Sequence, residues 1–376
     1  MLKSRLCIAF FAFAVGCAPA QKPLTDYVNP MLGTATLWDS VDLGFKPTKR
    51  TWGAEVFPGS SLPNAMVQVS PVTKFHSGAG YQYEDSVIYG FTHTNKGHWN
   101  LCHIPLLPVT GTPTPGDYCS PFSHERESAA PGYYQVFLDR YGVDAQLSST
   151  LRCAFHKYTY PAGAAASLLA DLQRSNEHVR AWDIRKEGDN VFAGWQQTGE
   201  KMYFYAVANR PVTGIEPVVE GDREVRIVRF GEGDGALELR IGFSFVSEKN
   251  ARENLEAEML GKSFAEVRSE ATATWNDLLG RIRVEGGTER EKGLFYSSLY
   301  RSFLWPALRS DVNGEFTDVD GKVINPGFRY YTGPSYWDDY RNKLILLGML
   351  APDVAADVIS SDTDKGENCL LYTSPS

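Results

Sequence analysis

Leu237, Leu239, Ile241, Phe243 and Phe245 alternate strictly with Glu238, Arg240, Gly242 and Ser244. A period of two puts apolar groups on one face of a strand and polar groups on the other, so a half-buried β-strand is predicted here. Residues 202–207 and 225–230 form similar runs, with the glycine-rich turn 231–235 between the last two strands. Residues 133–138, 143–147 and 158–160 continue the pattern. From about Tyr27 to Val246, then, the chain reads as many short strands with turn signals between them, the pattern of a sandwich or barrel.

The period changes near Glu248. Phe264, Val267, Ala271, Trp275 and Leu278 recur at steps of three and four, which is one face of a helix. Ser263 and Glu266 make a capping box at its start. Thr288 and Glu291 make another, followed by Phe295, Leu299 and Phe303 at steps of four. An all-β region therefore leads through helices into a second, helical domain, with the boundary between Val246 and Arg283. No internal repeat interrupts this order.

The two ends read as processing rather than fold. Lys3 and Arg5 precede the apolar run 6–15, and Ala18-Pro19-Ala20 is an A-x-A cleavage site, so residues 1–20 read as a secretory signal peptide. Ala14-Val15-Gly16-Cys17 leaves open a lipid anchor at Cys17, although Ala14 fits that pattern poorly. Residues 369–376 read as a translated sequencing adapter, which would end the natural sequence near Asn368, in mid-domain. No later segment has 18 consecutive apolar residues, so no transmembrane span is expected. A secreted or periplasmic location follows, with the cell surface as the destination if Cys17 carries lipid.

Composition narrows the partners. A formal net charge of −8 argues against nucleic acid, which needs a basic face. With both ends set aside, Cys102, Cys119 and Cys153 remain, enough for one disulfide at most and spaced like no zinc site.

Two stretches carry candidate chemistry. The first is Gly333-Pro334-Ser335-Tyr336-Trp337-Asp338-Asp339-Tyr340-Arg341. If a helix runs over 337–349, Asp338 and Arg341 share a face at i,i+3. A carboxylate held by arginine stays ionised and accepts two hydrogen bonds from neighbouring hydroxyls, while an indole stacks on the C–H face of a sugar. The competing reading is a surface ion pair beside a core indole. The second stretch runs from Gly90 to His103 and holds His93, His98 and His103, three of the chain's seven histidines, with Trp99 and Asn100. A polar aromatic loop suits ligand contact. Steps of five between histidines fit neither a helical zinc pair nor strand alternation, so local backbone pairing is the rival reading. The acidic runs 311–315 and 318–321 read as turns, because the glycine of the first comes two residues too early for an EF-hand.

The motif order resembles a known family. It runs from Tyr27-Val28-Asn29-Pro30 through Phe57-Pro58-Gly59 and Pro63-Asn64-Ala65-Met66-Val67-Gln68 to Gly80-Tyr81-Gln82-Tyr83. Gly90-Phe91-Thr92-His93-Thr94, Ser123-His124-Glu125 and Pro131-Gly132-Tyr133-Tyr134 follow. Phe295-Tyr296-Ser297-Ser298-Leu299-Tyr300, Ser310-Asp311-Val312-Asn313-Gly314 and finally Tyr336-Trp337-Asp338-Asp339-Tyr340-Arg341 complete it. In this order the chain resembles glycoside hydrolase family ninety-two, the calcium-dependent exo-α-mannosidases.

The resemblance implies a β-then-α fold: an N-terminal β-sandwich at 21–247, a helical linker at 248–283, and the start of an (α/α)6 barrel at 284–368, truncated. It implies inverting hydrolysis of terminal mannose from mannose-containing glycans, with Ca2+ as cofactor. The general acid, general base and calcium ligands of the family belong to later sequence, so the resemblance assigns no catalytic or metal-binding residue to this chain, and the chain alone would be inactive. As substrate contacts it points to Trp337, Asp338 and Arg341. His93, His98 and Trp99 join them from the second stretch, which departs from the family's usual loop after Thr94. Two other classes stay open: a non-catalytic glycan-binding protein of the cell surface, and a disaccharide phosphorylase of similar build.

Overall fold

A computed structural model of the chain describes residues 22–36, 56–96, 99–318, 320–332 and 339–368. Residues 1–21 with Cys17, the tail 369–376, His98, Trp337 and Asp338 lie outside these residues.

Two antiparallel sheets face one another. One has seven strands, in the spatial order Ser60–Ser61, Gln68–Val72, Gly90–Thr92, Leu106–Val109, Ser167–Ala170, Arg223–Phe230 and Val212–Glu220. The other has eight: Ala181–Lys186, Val191–Gln197, Lys201–Ala208, Leu237–Ser244, Cys153–Thr159, Val143–Ser149, Tyr133–Leu138 and Glu127–Ala130. The alternation in the sequence has its counterpart in register. Phe204 pairs with Phe243 and Ala206 with Ile241, and all four belong to the core between the sheets. The intervening residues of Lys201–Ala208 are only half-buried.

The outer face of the eight-stranded sheet is also covered. Helix α1 (Glu248–Glu258) lays Leu255 against Cys153, Phe155, Met259 and Phe264 in a second apolar cluster. A Cβ at Gly242 would lie 2.1 Å from the Ala251 carbonyl oxygen, so the strand under α1 needs glycine there. Residues 237–244 are consequently packed on both faces, although their alternation alone suggested one.

Helices α2 (Phe264–Leu279) and α3 (Glu289–Ser302) start where the capping boxes predict. Ser263 Oγ accepts from the Glu266 amide, and the Glu266 carboxylate accepts from the Ser263 amide at 2.8 Å. Each bond satisfies an amide that the first helical turn leaves without a partner. Ser263→Ala is expected to cost about 1 kcal/mol of stability, read as a lower urea midpoint at unchanged m-value. An unaltered midpoint would mean that the cap contributes nothing.

Among the described residues two further α-helices follow, α4 (Lys343–Leu350) and α5 (Pro352–Asn368), the latter beginning on proline. The single helix expected over 337–349 is not formed. Tyr340, Arg341 and Asn342 are turn residues, and α4 begins after them. Arg341 Nε donates to the hydroxyl of its chain neighbour Tyr340 at 2.7 Å, a contact that helical i,i+1 geometry does not make. Residues 311–315 form a turn as expected, closed through Asp311 N to Glu315 O at 2.8 Å, and Asp318, Asp320 and Gly321 lie between the hairpin strands Phe316–Thr317 and Val323–Ile324. Cys102, Cys119 and Cys153 are free thiols. Among the described residues no helix is long and apolar enough to cross a membrane.

The seam between sandwich and helical segment is tied largely through the main chain. Asn64 N donates to Phe303 O at 2.7 Å, and Leu308 N donates to Asn64 O at 3.0 Å. Asn64 Nδ2 and Gln68 Nε2 donate to the carbonyls of Pro306 and Leu304, both at 2.8 Å. The Asn64-to-Gln68 motif thus positions the segment that follows α3.

Candidate functional site

A cleft of about 800 Å³ opens along this seam. Glu177, Glu200, Lys201 and Tyr203 line it from the sandwich, and Arg309, Thr317, Asp318, Tyr330, Thr332 and Lys365 from the helical segment. Phe245 lies where the last sandwich strand leaves the sheet. Arg309 and Thr332 sit on two adjacent extended segments: Arg309 N donates to Tyr330 O at 2.7 Å, and Thr332 N donates to Ala307 O at 2.9 Å.

The wall groups are held in place. The Arg309 guanidinium lies 4.0 Å from the Phe245 ring centroid, and its Nη2 is 3.4 Å from Glu200 Oε2 across the seam. Phe316 and Tyr330 stack with centroids 3.5 Å apart. Lys365 Nζ donates to the Tyr331 carbonyl at 2.8 Å and lies 5.0 Å from the Tyr330 ring centroid. Burial lowers the pKa of the Lys365 ammonium, opposed by the carboxylate of Asp362, and burial pushes the Tyr330 phenol up. Aromatic surface beside fixed carboxylates and cations suits a ligand with both C–H faces and hydroxyls.

One of the two stretches singled out by sequence, Gly90 to His103, has a described residue in the lining of this cleft. Leu101 lines it directly after the short strand Trp99–Asn100, and Thr332 lines it directly before residues 333–338. Trp337, Asp338 and His98 are outside the described residues, and Trp99 is described only in its backbone pairing with Lys96. Arg341 is exposed and bonded to Tyr340.

The histidines separate. His93 was expected at the ligand surface, but it is 0% exposed, so that expectation is corrected. Its ring packs 4.6 Å from that of Phe243 inside the sandwich, and its Nε2 is 3.0 Å from His156 Nε2. His103 has its Nδ1 2.8 Å from Thr94 Oγ1 and its Nε2 3.0 Å from Thr198 Oγ1. The local backbone pairing expected as the rival reading is not what these rings make: both bond to side chains, His93 to one 63 positions away and His103 to one 95 positions away. Among the described residues, no group of three or more His, Cys, Asp or Glu side chains could hold a metal ion.

The buried pair gives a pH expectation. Burial pushes the His93 imidazole down to about 3, and burial, followed by the neighbouring His93, also lowers that of His156. A lowered folded-state pKa means that unfolding takes up protons, so stability is full above the ordinary value near 6.5 and falls as pH drops below it. Each histidine contributes about 1.4 kcal/mol per pH unit within that window. Urea unfolding between pH 7 and 5 should show the slope, and His93→Gln should flatten it. An equal slope in the variant would refute the assignment.

Sequence reasoning passed over most of the wall. Arg309 closes the apolar run 303–308, and a charge there was a usable signal of a partnered or ligand-facing group. Glu200, Lys201 and Tyr330 carried none, because their convergence depends on how the two parts meet.

Comparison with known proteins bears on what this cleft serves. The profile described as the glycosyl hydrolase family 92 N-terminal domain matches residues 27–253, and that of the family's catalytic domain matches residues 250–372. The structure is similar to that of a family GH92 alpha-mannosidase from Bacteroides thetaiotaomicron, with a TM-score of 0.81 and 27% identity, covering 91% of this chain and 49% of the other. That relative is also known in complex with mannoimidazole, at a TM-score of 0.80 and 27% identity, with 90% and 48% of the two chains covered. A fungal sequence from Arthroderma benhamiae, described as an uncharacterized secreted glycosidase, is 24% identical over 77% of this chain and 42% of its own length. The chain thus spans about half the length of the relatives it matches.

Proposed function

The chain belongs to glycosyl hydrolase family 92, and on that premise we propose that its inter-domain cleft receives the terminal mannose of a glycan, for removal by an exo-acting, inverting, calcium-assisted α-mannosidase. The observation that supports this reading is the cleft wall itself, which sets Phe245, Tyr203 and Tyr330 beside Glu200, Arg309 and Asp318, a composition suited to a ligand with C–H faces and hydroxyls. Trp337 would stack on the sugar, and Asp338 and Arg341 would bind its hydroxyls, with His98 and Trp99 bordering the same opening. A relative whose structure was solved with mannoimidazole supports the choice of sugar.

Inversion needs a carboxylic acid to protonate the leaving oxygen and a carboxylate about 6.5–9.5 Å away to activate water. Neither role is assigned to a described residue. Calcium was tested against the best acidic candidate, and it does not fit. Asp311 accepts from Ser244 Oγ at 2.6 Å, Asn250 Nδ2 at 2.9 Å and Asn254 Nδ2 at 2.6 Å, so its oxygens already have protein donors.

The test is calorimetric titration of the chain with methyl α-mannoside. Binding is expected, and Asp338→Ala should weaken it by about 2–4 kcal/mol, the loss of a charged hydrogen-bonding partner. Equal affinity in the variant would remove Asp338 from the site, and no binding by the parent chain would remove the mannose reading. In a protein of the relatives' full length, proton NMR should show β-mannose released first. Binding without turnover there would favour a non-catalytic glycan-binding protein.

A further inference from the structure

His103 is buried, yet its ring ends on a residue of the cleft. Its Nε2 lies 3.2 Å from Glu177 Oε2 and 3.0 Å from Thr198 Oγ1, and the buried Thr198 hydroxyl donates to the same Glu177 oxygen at 2.6 Å. An ionised carboxylate only accepts, so His103 Nε2 and Thr198 Oγ1 are the donors and Glu177 Oε2 receives both. The main chain here is fixed as well. Ser175 Oγ and Asn176 N donate to the Leu101 carbonyl at 2.6 and 3.0 Å, and the Glu177 amide donates to Ser175 Oγ at 3.2 Å. Glu177 is nevertheless open to the cleft that it lines, with its side chain 40% exposed. A glutamate this exposed ordinarily keeps its rotamer freedom in water. Two buried side chains instead hold this one in a single orientation at the cleft wall.

We infer that Glu177 is a saccharide-binding carboxylate on the sandwich wall of the cleft, and that His103 and Thr198 are its positioning residues. A carboxylate has about four acceptor sites, more than the two donors at Oε2 use, so it also accepts from sugar hydroxyls. Hydrogen bonds to a charged acceptor are the stronger kind, and a group oriented beforehand loses less entropy when the ligand arrives. Lys201, Arg309 and Lys365 line the same cleft and disfavour a cationic ligand, while Glu177, Glu200 and Asp318 disfavour an anionic one. Neutral hydroxyl donors remain, and Tyr203 offers ring surface on the same wall. The inference rests on the glycan reading of the cleft and gives its sandwich side a contact that residues 333–341 do not supply. If Glu177 served only to satisfy His103, its loss would cost stability and leave sugar affinity alone.

The test is calorimetric titration of the chain with an α-linked mannobiose, beside urea unfolding of each variant. Glu177→Ala should weaken the sugar by about tenfold, the loss of one charged acceptor. His103→Leu and Thr198→Val should each weaken it by about threefold, and neither should weaken it further in the Glu177→Ala background, because both act through Glu177. His103→Gln, which keeps an N–H donor, should recover part of the affinity that His103→Leu loses. Thr198→Val is nearly isosteric, so the cycle stands even if His103→Leu does not fold. Mannobiose affinity within about twofold of the parent in Glu177→Ala would overturn the assignment and leave the mannose reading intact. Equal losses from Thr198→Val with and without Glu177 would overturn the positioning role. A parent chain that binds no mannoside would overturn the mannose reading and this inference together.

Discussion

Trp275→Ala is expected to destabilise the chain by about 3–5 kcal/mol, the cost of emptying a closed aromatic site. Trp275 is 0% exposed, and its ring centroid lies 4.4 Å from that of Tyr300 on α3. Its Nε1 donates to the Ser61 carbonyl at 2.7 Å, so one side chain joins α2, α3 and the seven-stranded sheet. Alanine removes the packing and leaves a buried carbonyl without its donor. Trp275→Phe keeps most of the packing and loses only the donor, so it should cost less, about 1–3 kcal/mol. Guanidinium unfolding followed by circular dichroism measures both. Equal stability of Trp275→Ala and the parent would show that α2 is not docked on the sandwich.

Asp311→Ala should be of similar size, about 3–5 kcal/mol, for an electrostatic reason. It would strand the hydroxyl of Ser244 and the amides of Asn250 and Asn254, all of which donate to the Asp311 carboxylate. Arg152 closes the network from the other side, donating to the Ser310 carbonyl at 2.8 Å and to Glu258 at 2.6 Å. Burial raises the Asp311 pKa, against the lowering effect of these donors. A raised folded-state value means that this contribution is full below the ordinary carboxyl range and is lost as pH rises through the folded value. Its sign is thus opposite to that of the histidine pair. Asp311→Ala should therefore cost more stability in acid than at neutral pH, and its acid limb should lack the Asp311 contribution. A variant as stable as the parent in urea at pH 7 would show the network to be idle.

Local order was open to sequence reading wherever a residue's neighbours in the chain decide its state. The alternation at 237–245 and the boxes Ser263/Glu266 and Thr288/Glu291 involve residues at most four apart, and each has its counterpart in the fold. The second covering of the eight-stranded sheet was not legible, because Gly242 meets Ala251 only once α1 has folded back. His93 misled for the same reason. Its polarity suggested a ligand loop, while a histidine 63 positions away in the chain satisfies its ring in the core. The cleft was legible only at one point, Leu101 within the stretch from Gly90 to His103. Arg309 and Glu200 are 109 positions apart, and no local pattern brings them together.

The ties at Asn64 have one more consequence. The bonds from Asn64 N to Phe303 O and from Leu308 N to Asn64 O run between peptide groups, which every residue type but proline supplies in full. These two fastenings therefore do not depend on side-chain identity at 303 and 308, where Phe303 and Leu308 are held instead by packing in the core. Substitutions in the cleft walls, such as at Lys201 or Tyr203, can therefore leave these peptide-to-peptide fastenings in place.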